Sequence, residues 1–346
     1  MTDQTLEDRV RKIIGDETLS AAAKDEALSN LIDIRIDQFG NFIFVRKGAP
    51  LDARDLTSFD RVNVTELRDR KRPAKRTRFL NKLNSPYKGP IILAEGDSWF
   101  EYPWPNIPDL IDRAGDKYAV LSLARAGDTW SDILDQDSNV GLPKRYPDGT
   151  LMGLFHTLNE ATPKPFQYVM ISAGGNDLIG NLKDCVYDFD PNRPGDEYIR
   201  HKGDIERPGF DDVLGAAIHR YREATSKVVA GGRPVILHTY DYPNPKPNGQ
   251  YIGYQLKKFH KIEGEGLMRQ ILNQMIDLFY CGLKQIADAS NGKIHLIDFR
   301  NTIGTDDYVA GPDDSLWNDE MHGNWAGFEK LWKKMDSELT PIFAKA

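Results

Sequence analysis

The sequence predicts an α/β protein of three layers, a parallel sheet between helices, preceded by a small α+β appendage. Five short apolar runs rich in β-branched residues recur between residues 91 and 299, and they are near-continuous rather than alternating. Amphipathic stretches of helical length lie between them. A strand covered on both faces has no polar side to alternate with, and parallel neighbours need a crossover that a helix supplies.

In chain order, LEDRVRKII (6–14) and the stretch from Ser20 to Leu31 carry Leu, Val, Ile and Ala at helical spacing, with Ser20 placed as an N-cap. LIDIRID and NFIFVRKG then alternate apolar and polar residues around Gln38, Phe39 and Gly40, the pattern of a β-hairpin. Residues 1–60 form the expected appendage. From Arg61 to Asn84 there are nine Lys or Arg against Glu66 and Asp69. With Pro73 interrupting any continuous helix, 61–88 reads as a basic linker that packs against acidic surface of the larger domain. The same run is also where nucleic acid would be held, with Arg68, Arg70, Lys71, Arg72, Lys75, Arg76 and Arg78 as phosphate contacts.

The main domain is expected over 89–346. Its strands are IILAEG (91–96), AVLSLA (119–124), YVMISAGG (168–175), PVILHTY (234–240) and KIHLIDF (293–299). Helices are expected over 209–232, 264–292 and after Asn324, with right-handed crossovers. Residues 183–209 and 244–264 read as long loops, which in a compact domain are usually functional.

Composition excludes several classes of function. Of 346 residues 40% are hydrophobic and 28% charged, which suits a globular protein with a sizeable core. Cys185 and Cys281 stand alone, without the spacing of a disulfide framework or zinc module. The first residues lack the apolar stretch of a secretory signal, and no run approaches a membrane span. The expectation is a cytoplasmic protein. Net charge is −7, but residues 1–84 carry +3 and the remainder −10, so the total describes neither part.

Chemistry in such a domain sits at the carboxyl ends of the strands. The first strand runs into AEGDSWFEYPW, which puts Ser98 on a turn at the sheet edge. The second ends in LARAGDTW, where Gly127 lets a backbone N–H approach a ligand; the third ends in ISAGGNDL, with Asn176 at the same rim. Near the C-terminus, DDSLWNDEMHGNW places Asp319 and His322 three residues apart, close enough for the carboxylate to fix the imidazole tautomer. Taken singly, each of these also fits an ordinary turn or helix cap.

Together, in this order, GDS, Gly, GGND and DxxH resemble the SGNH or GDSL-like hydrolases over roughly residues 90 to 330. The resemblance implies a flavodoxin-like, five-stranded parallel sheet. It also implies Ser98 as nucleophile, His322 as general base and Asp319 as its partner, with an oxyanion hole from Ser98, Gly127 and Asn176. The reaction implied is ester hydrolysis without metal or organic cofactor. Trp99 stands where the common signature has Leu, and Gly323 where Pro often follows the His.

His238, with Asp241 beside it, is a competing dyad at the end of the fourth strand. Trp99, Tyr240, Tyr242 and His238 are candidate substrate contacts, suited to stacking on a sugar, to holding an acyl chain, or simply to packing. The substrate is thus expected to be a small-molecule ester, an O-acylated carbohydrate or a lipid ester. Acyl transfer to an alcohol through the same site and an interaction role for the basic segment are the alternatives.

Overall fold

A computed structural model of the chain describes residues 5–16, 18–19, 21–36, 42–50, 61–62, 71–104, 107–138, 145, 149–151, 153–159, 165–249, 251–304 and 314–344. Ser20, the hairpin turn at Gln38–Gly40, Arg68 and Arg70 lie outside the described residues. In the appendage, α1 (Leu6–Gly15) opens on a capping box: the Asp8 N–H donates to Thr5 Oγ1 at 3.1 Å and the Thr5 N–H donates back to Asp8 Oδ2 at 3.2 Å. Helix α2 (Ala21–Ser29) follows, then β1 (Ile32–Ile36) and β2 (Phe42–Arg46), paired antiparallel with Ile32 opposite Arg46.

The segment expected to be a linker is helical over α3 (Arg72–Leu83), and it packs against carboxylates of the residues that follow it. Pro73 stands in the first turn, where its missing N–H costs nothing, so it starts the helix instead of breaking it. The helix packs on β4 (Ala119–Ser122), and its Arg72 and Lys75 are buried. Lys75 is buried, with Nζ 2.6 Å from Glu101 Oε2, 2.8 Å from Asp109 Oδ2 and donating at 2.8 Å to the Phe100 carbonyl. Burial alone would lower its pKa, but the charges of Asp109, Asp112 and Glu101 outweigh it and hold the ammonium charged. Arg72 donates to the carbonyls of Ser122 and Ala124, and Lys71, Arg76 and Arg78 are bonded to Asp109, Thr150 and Asp112. These five cations are therefore committed within the fold rather than offered to phosphates.

Beyond it come β3 (Ile91–Gly96), α4 (Leu110–Lys117), β4 (Ala119–Ser122), α5 (Trp130–Ser138), α6 (Leu154–Asn159), β5 (Tyr168–Ser172), α7 (Gly175–Gly180), α8 (Leu182–Cys185), α9 (Phe210–Ala230), β6 (Val235–His238), α10 (Ile252–His260), α11 (Glu265–Asp288), β7 (Ile294–Ile297) and α12 (Trp325–Phe343). The five strands are parallel, in the spatial order β4, β3, β5, β6, β7. Every residue of β3, β4, β5 and β6 is buried, the reason those runs carry no alternation. Helices α3 and α4 pack on β4 with α12 against α4, while α9 packs on β6 and α11 on β7. This is the three-layer architecture expected from the sequence.

The order places β3 between β4 and β5, so the connections from β3 and β5 depart in opposite directions and open a crevice at their carboxyl ends. The two long segments are more structured than expected. Val186 bridges Ile199 across the first, and the second contains α10. No helix among the described residues is long and apolar enough to cross a membrane.

Candidate active site

The crevice is built on the turn that follows β3. A Cβ at Gly96 would lie 2.4 Å from the Ser172 carbonyl oxygen, so only glycine lets the end of β3 come this close to β5. Asp97, next in line, is buried and accepts from the Trp99 N–H at 3.1 Å, from Ser172 Oγ at 2.8 Å and from the Tyr240 hydroxyl. Burial raises its pKa, against the pull of these three donors. The Tyr240 hydroxyl in turn accepts from the Gly175 N–H at 3.1 Å. Asp97 and Tyr240 therefore tie together the rims of three strands, β3, β5 and β6, and hold Ser98 in place.

Ser98 Oγ lies 2.7 Å from His322 Nε2, although 224 positions separate the two residues. His322 Nδ1 is 3.0 Å from both carboxylate oxygens of Asp319. An ionised carboxylate only accepts, so the proton between them belongs to Nδ1, and Nε2 is left as the acceptor for the Ser98 hydroxyl. Asp319 Oδ1 also accepts from the N–H groups of Met321 and His322, each at 2.8 Å, and Oδ2 from the Tyr102 hydroxyl at 2.8 Å. Burial would raise the Asp319 pKa; the charge and hydrogen bond of His322, with the other donors, bring it below the usual value. The turn is closed by the Asn318 N–H donating to the His322 carbonyl at 2.9 Å, and Asn324 caps α12 through the N–H groups of Ala326 and Gly327. Asp319 and His322, three residues apart, thus form a one-turn carboxylate–imidazole pair.

Asn176 follows Gly174, whose φ of +88° is one that a residue with a side chain rarely adopts. Its amide lines the crevice and donates one N–H to the Asp128 carbonyl at 2.9 Å. Gly127 is the third residue of the turn closed by the Asp128 N–H on the Arg125 carbonyl at 3.2 Å, and its φ of +86° is what a type II turn requires there. It is adjacent to the carbonyl that Asn176 engages, but it does not line the crevice. Among the described residues, the N–H groups of Ser98 and Gly127 donate to no other group.

The aromatic candidates fall differently. Trp99 is 3% exposed and ringed by His238, Tyr240, Phe299 and Phe328 at centroid distances of 5.3 to 6.3 Å. Tyr240 lines the crevice, but its ring stacks on Phe279 and its hydroxyl serves Asp97. Tyr242 donates to Asp277 Oδ1 at 2.7 Å and lies off the crevice. His238 is buried away from it too, with Nδ1–H donating to the Thr239 carbonyl at 2.7 Å; burial pushes its pKa down to about 4 and keeps it neutral. Asp241 does not orient it, because that carboxylate accepts from the N–H groups of Tyr242, Thr302 and Ile303.

One group at the site escaped sequence reasoning. Glu320, between Asp319 and His322, is buried, and its carboxylate accepts four backbone N–H groups: Lys246 at 3.0 Å, Tyr251 at 2.7 Å, Ile252 at 3.1 Å and Gly253 at 2.7 Å. It caps α10 from a distant part of the chain, and a Cβ at Gly253 would meet the Lys246 carbonyl oxygen at 1.7 Å. The cleft beside Ser98 occupies about 610 Å³, part of it open to solvent. Among the described residues no group of His, Cys, Asp and Glu is arranged to hold a metal ion.

No family model and no curated protein matches the chain. Solved structures similar to it include a catalytic mutant of an acetylxylan esterase from Geobacillus stearothermophilus, 14% identical over 73% of this chain and 94% of that one, with a TM-score of 0.43. A protein described as a candidate acylhydrolase from Bacteroides fragilis is 14% identical over 76% and 94%, with a TM-score of 0.43. A candidate SGNH hydrolase from Slackia heliotrinireducens is 14% identical over 73% and 100%, with a TM-score of 0.41. At these identities and scores the likenesses assign no role to any residue of this chain.

Proposed function

We propose that this protein is a serine hydrolase of the SGNH type that cleaves carboxylic esters through an acyl-enzyme. The observation that carries the reading is the line of contacts from Ser98 Oγ to His322 Nε2 at 2.7 Å and from His322 Nδ1 to Asp319 at 3.0 Å. A serine hydroxyl attacks a carbonyl only when a base removes its proton as the bond forms. His322 takes that proton while Asp319 holds the imidazole in the required tautomer and stabilises the imidazolium. The negative charge on the carbonyl oxygen falls to the Ser98 N–H and the Asn176 amide, each worth on the order of a hundred- to thousandfold in rate; Gly127, expected as a third donor, does not line the crevice and contributes by shaping the turn whose Asp128 carbonyl holds Asn176. Collapse of the tetrahedral intermediate expels the alcohol, which receives the proton from His322. Water, deprotonated by the same imidazole, then releases the acid and restores Ser98.

Asp128, beside the proposed oxyanion hole, suits this assignment. Burial, with the charge of Asp132, pushes its carboxyl up to about 8, so at neutral pH it adds little repulsion to a developing oxyanion. Reaction with an alkyl fluorophosphonate, followed by peptide mapping, tests the proposal. A single adduct on Ser98 is expected, absent from Ser98→Ala and formed at least about a thousandfold more slowly in His322→Ala. Labelling at another residue, or equal labelling of His322→Ala, would remove the assignment.

A further inference from the structure

We infer that the cleft beside Ser98 is an acyl-chain site, and that the substrate is the ester of an apolar acid longer than acetate. This rests on the ester-hydrolase reading above and adds the class of acid. One wall comes from Leu272, Met275 and Ile276 of α11, whose i, i+3, i+4 spacing puts them on one helix face. Leu178 and Ile179 of α7 and Ile252 of α10 supply more of the lining. Among the described residues no Lys or Arg lines the cleft, so none of them would hold a phosphate or a carboxylate on the acyl part there.

Its two buried carboxylates are already occupied, Asp97 by Trp99, Ser172 and Tyr240 and Asp241 by backbone N–H groups. Sugar stacking needs an open aromatic face, and here Trp99 and Tyr240 are packed against Phe299 and Phe279. What the cleft offers a substrate beyond Ser98, Asn176 and His322 is apolar surface, and a polyhydroxylated group placed there would lose its hydrogen bonds to water.

The α10 wall is held by Glu320, one residue from Asp319 and two from His322. The acyl site and the catalytic turn are therefore joined through a single carboxylate, so Glu320 acts as a positioning residue for Ile252.

The test is the chain-length profile of p-nitrophenyl esters on the whole protein, with Ser98→Ala beside it. Burying each added methylene is expected to raise kcat/KM by about three- to fourfold, so hexanoate should exceed acetate by on the order of a hundredfold. Filling the cleft with Ile276→Trp should lower the hexanoate-to-acetate ratio at least tenfold. Glu320→Gln should lower the same ratio by loosening α10. A wild-type profile that is flat or favours acetate, with Ser98→Ala inactive, would overturn the acyl-chain assignment and leave the hydrolase reading standing. Equal rates for wild type and Ser98→Ala would overturn both. The wild-type profile decides the matter even if Ile276→Trp fails to fold.

Discussion

Asp319 has one carboxylate and four donors directed at it, and only the His322 Nδ1–H enters the proposed chemistry. The other three fix the carboxylate so that Nε2 always faces Ser98. Asp319→Asn presents an amide that can donate to Nδ1 and favours the wrong tautomer; kcat should fall by on the order of 10³- to 10⁴-fold while the protein stays folded. His238 is the opposite case, a buried histidine at the end of β6 that the proposed mechanism does not use. Its pKa lies near 4 in the folded protein because it is buried, against an ordinary value near 6.5. Between these values the unfolded chain binds a proton that the folded one refuses, so stability falls as pH drops from about 6.5 towards 4. Replacing it by His238→Phe should remove up to ~3 kcal/mol of that decline, read as a shallower change of urea midpoint across the window. Parallel slopes in the two proteins would show that His238 is not the group responsible.

At the scale of elements, α10 and α3 show where sequence patterns stop being informative. Helix α10 has no capping side chain of its own at Tyr251, and its first N–H groups are satisfied by Glu320, 67 positions or more away. A cap supplied in trans leaves no local signature, which is why a stretch rich in Pro, Gly and Tyr reads as a loop. Glu320→Gln replaces an oxygen acceptor with a donor facing N–H groups, and should cost about 1–3 kcal/mol with loss of hydrogen-exchange protection over 251–260. Helix α3 misleads in another way. Its Lys and Arg residues read as solvated because buried cations are rare, yet the carboxylates that neutralise Lys75 come from the segment after β3. Lys75→Met would strand Glu101 without its counter-charge and leave Asp109 with Lys71 alone, and should lower unfolding free energy by about 3–5 kcal/mol in a denaturant titration. A loss below 1 kcal/mol would mean that the helix is a dispensable attachment.

For the whole molecule, β3 to β6 were legible because each is buried on both faces and so writes a near-continuous apolar run, while β7 keeps His295 and Leu296 half-buried within its own. The site was legible where it is local: Gly96 and Ser98 at a strand end, Gly174 ahead of Asn176, Asp319 one turn before His322. What joins these pieces is not local. Asp97 to Tyr240, Tyr102 to Asp319 and Glu320 to α10 each span at least 67 positions, and nothing in a neighbouring residue signals them. The sheet order does the joining, since Ser98 after β3 and Asn176 after β5 flank the crevice where the connections part. The most direct measurement is the rate of p-nitrophenyl ester hydrolysis by purified Ser98→Ala relative to wild type, on the acyl ester that wild type cleaves fastest. A loss on the order of 10⁴-fold or more with the fold intact is expected of a nucleophile; turnover within a few-fold of wild type would contradict the assignment of Ser98.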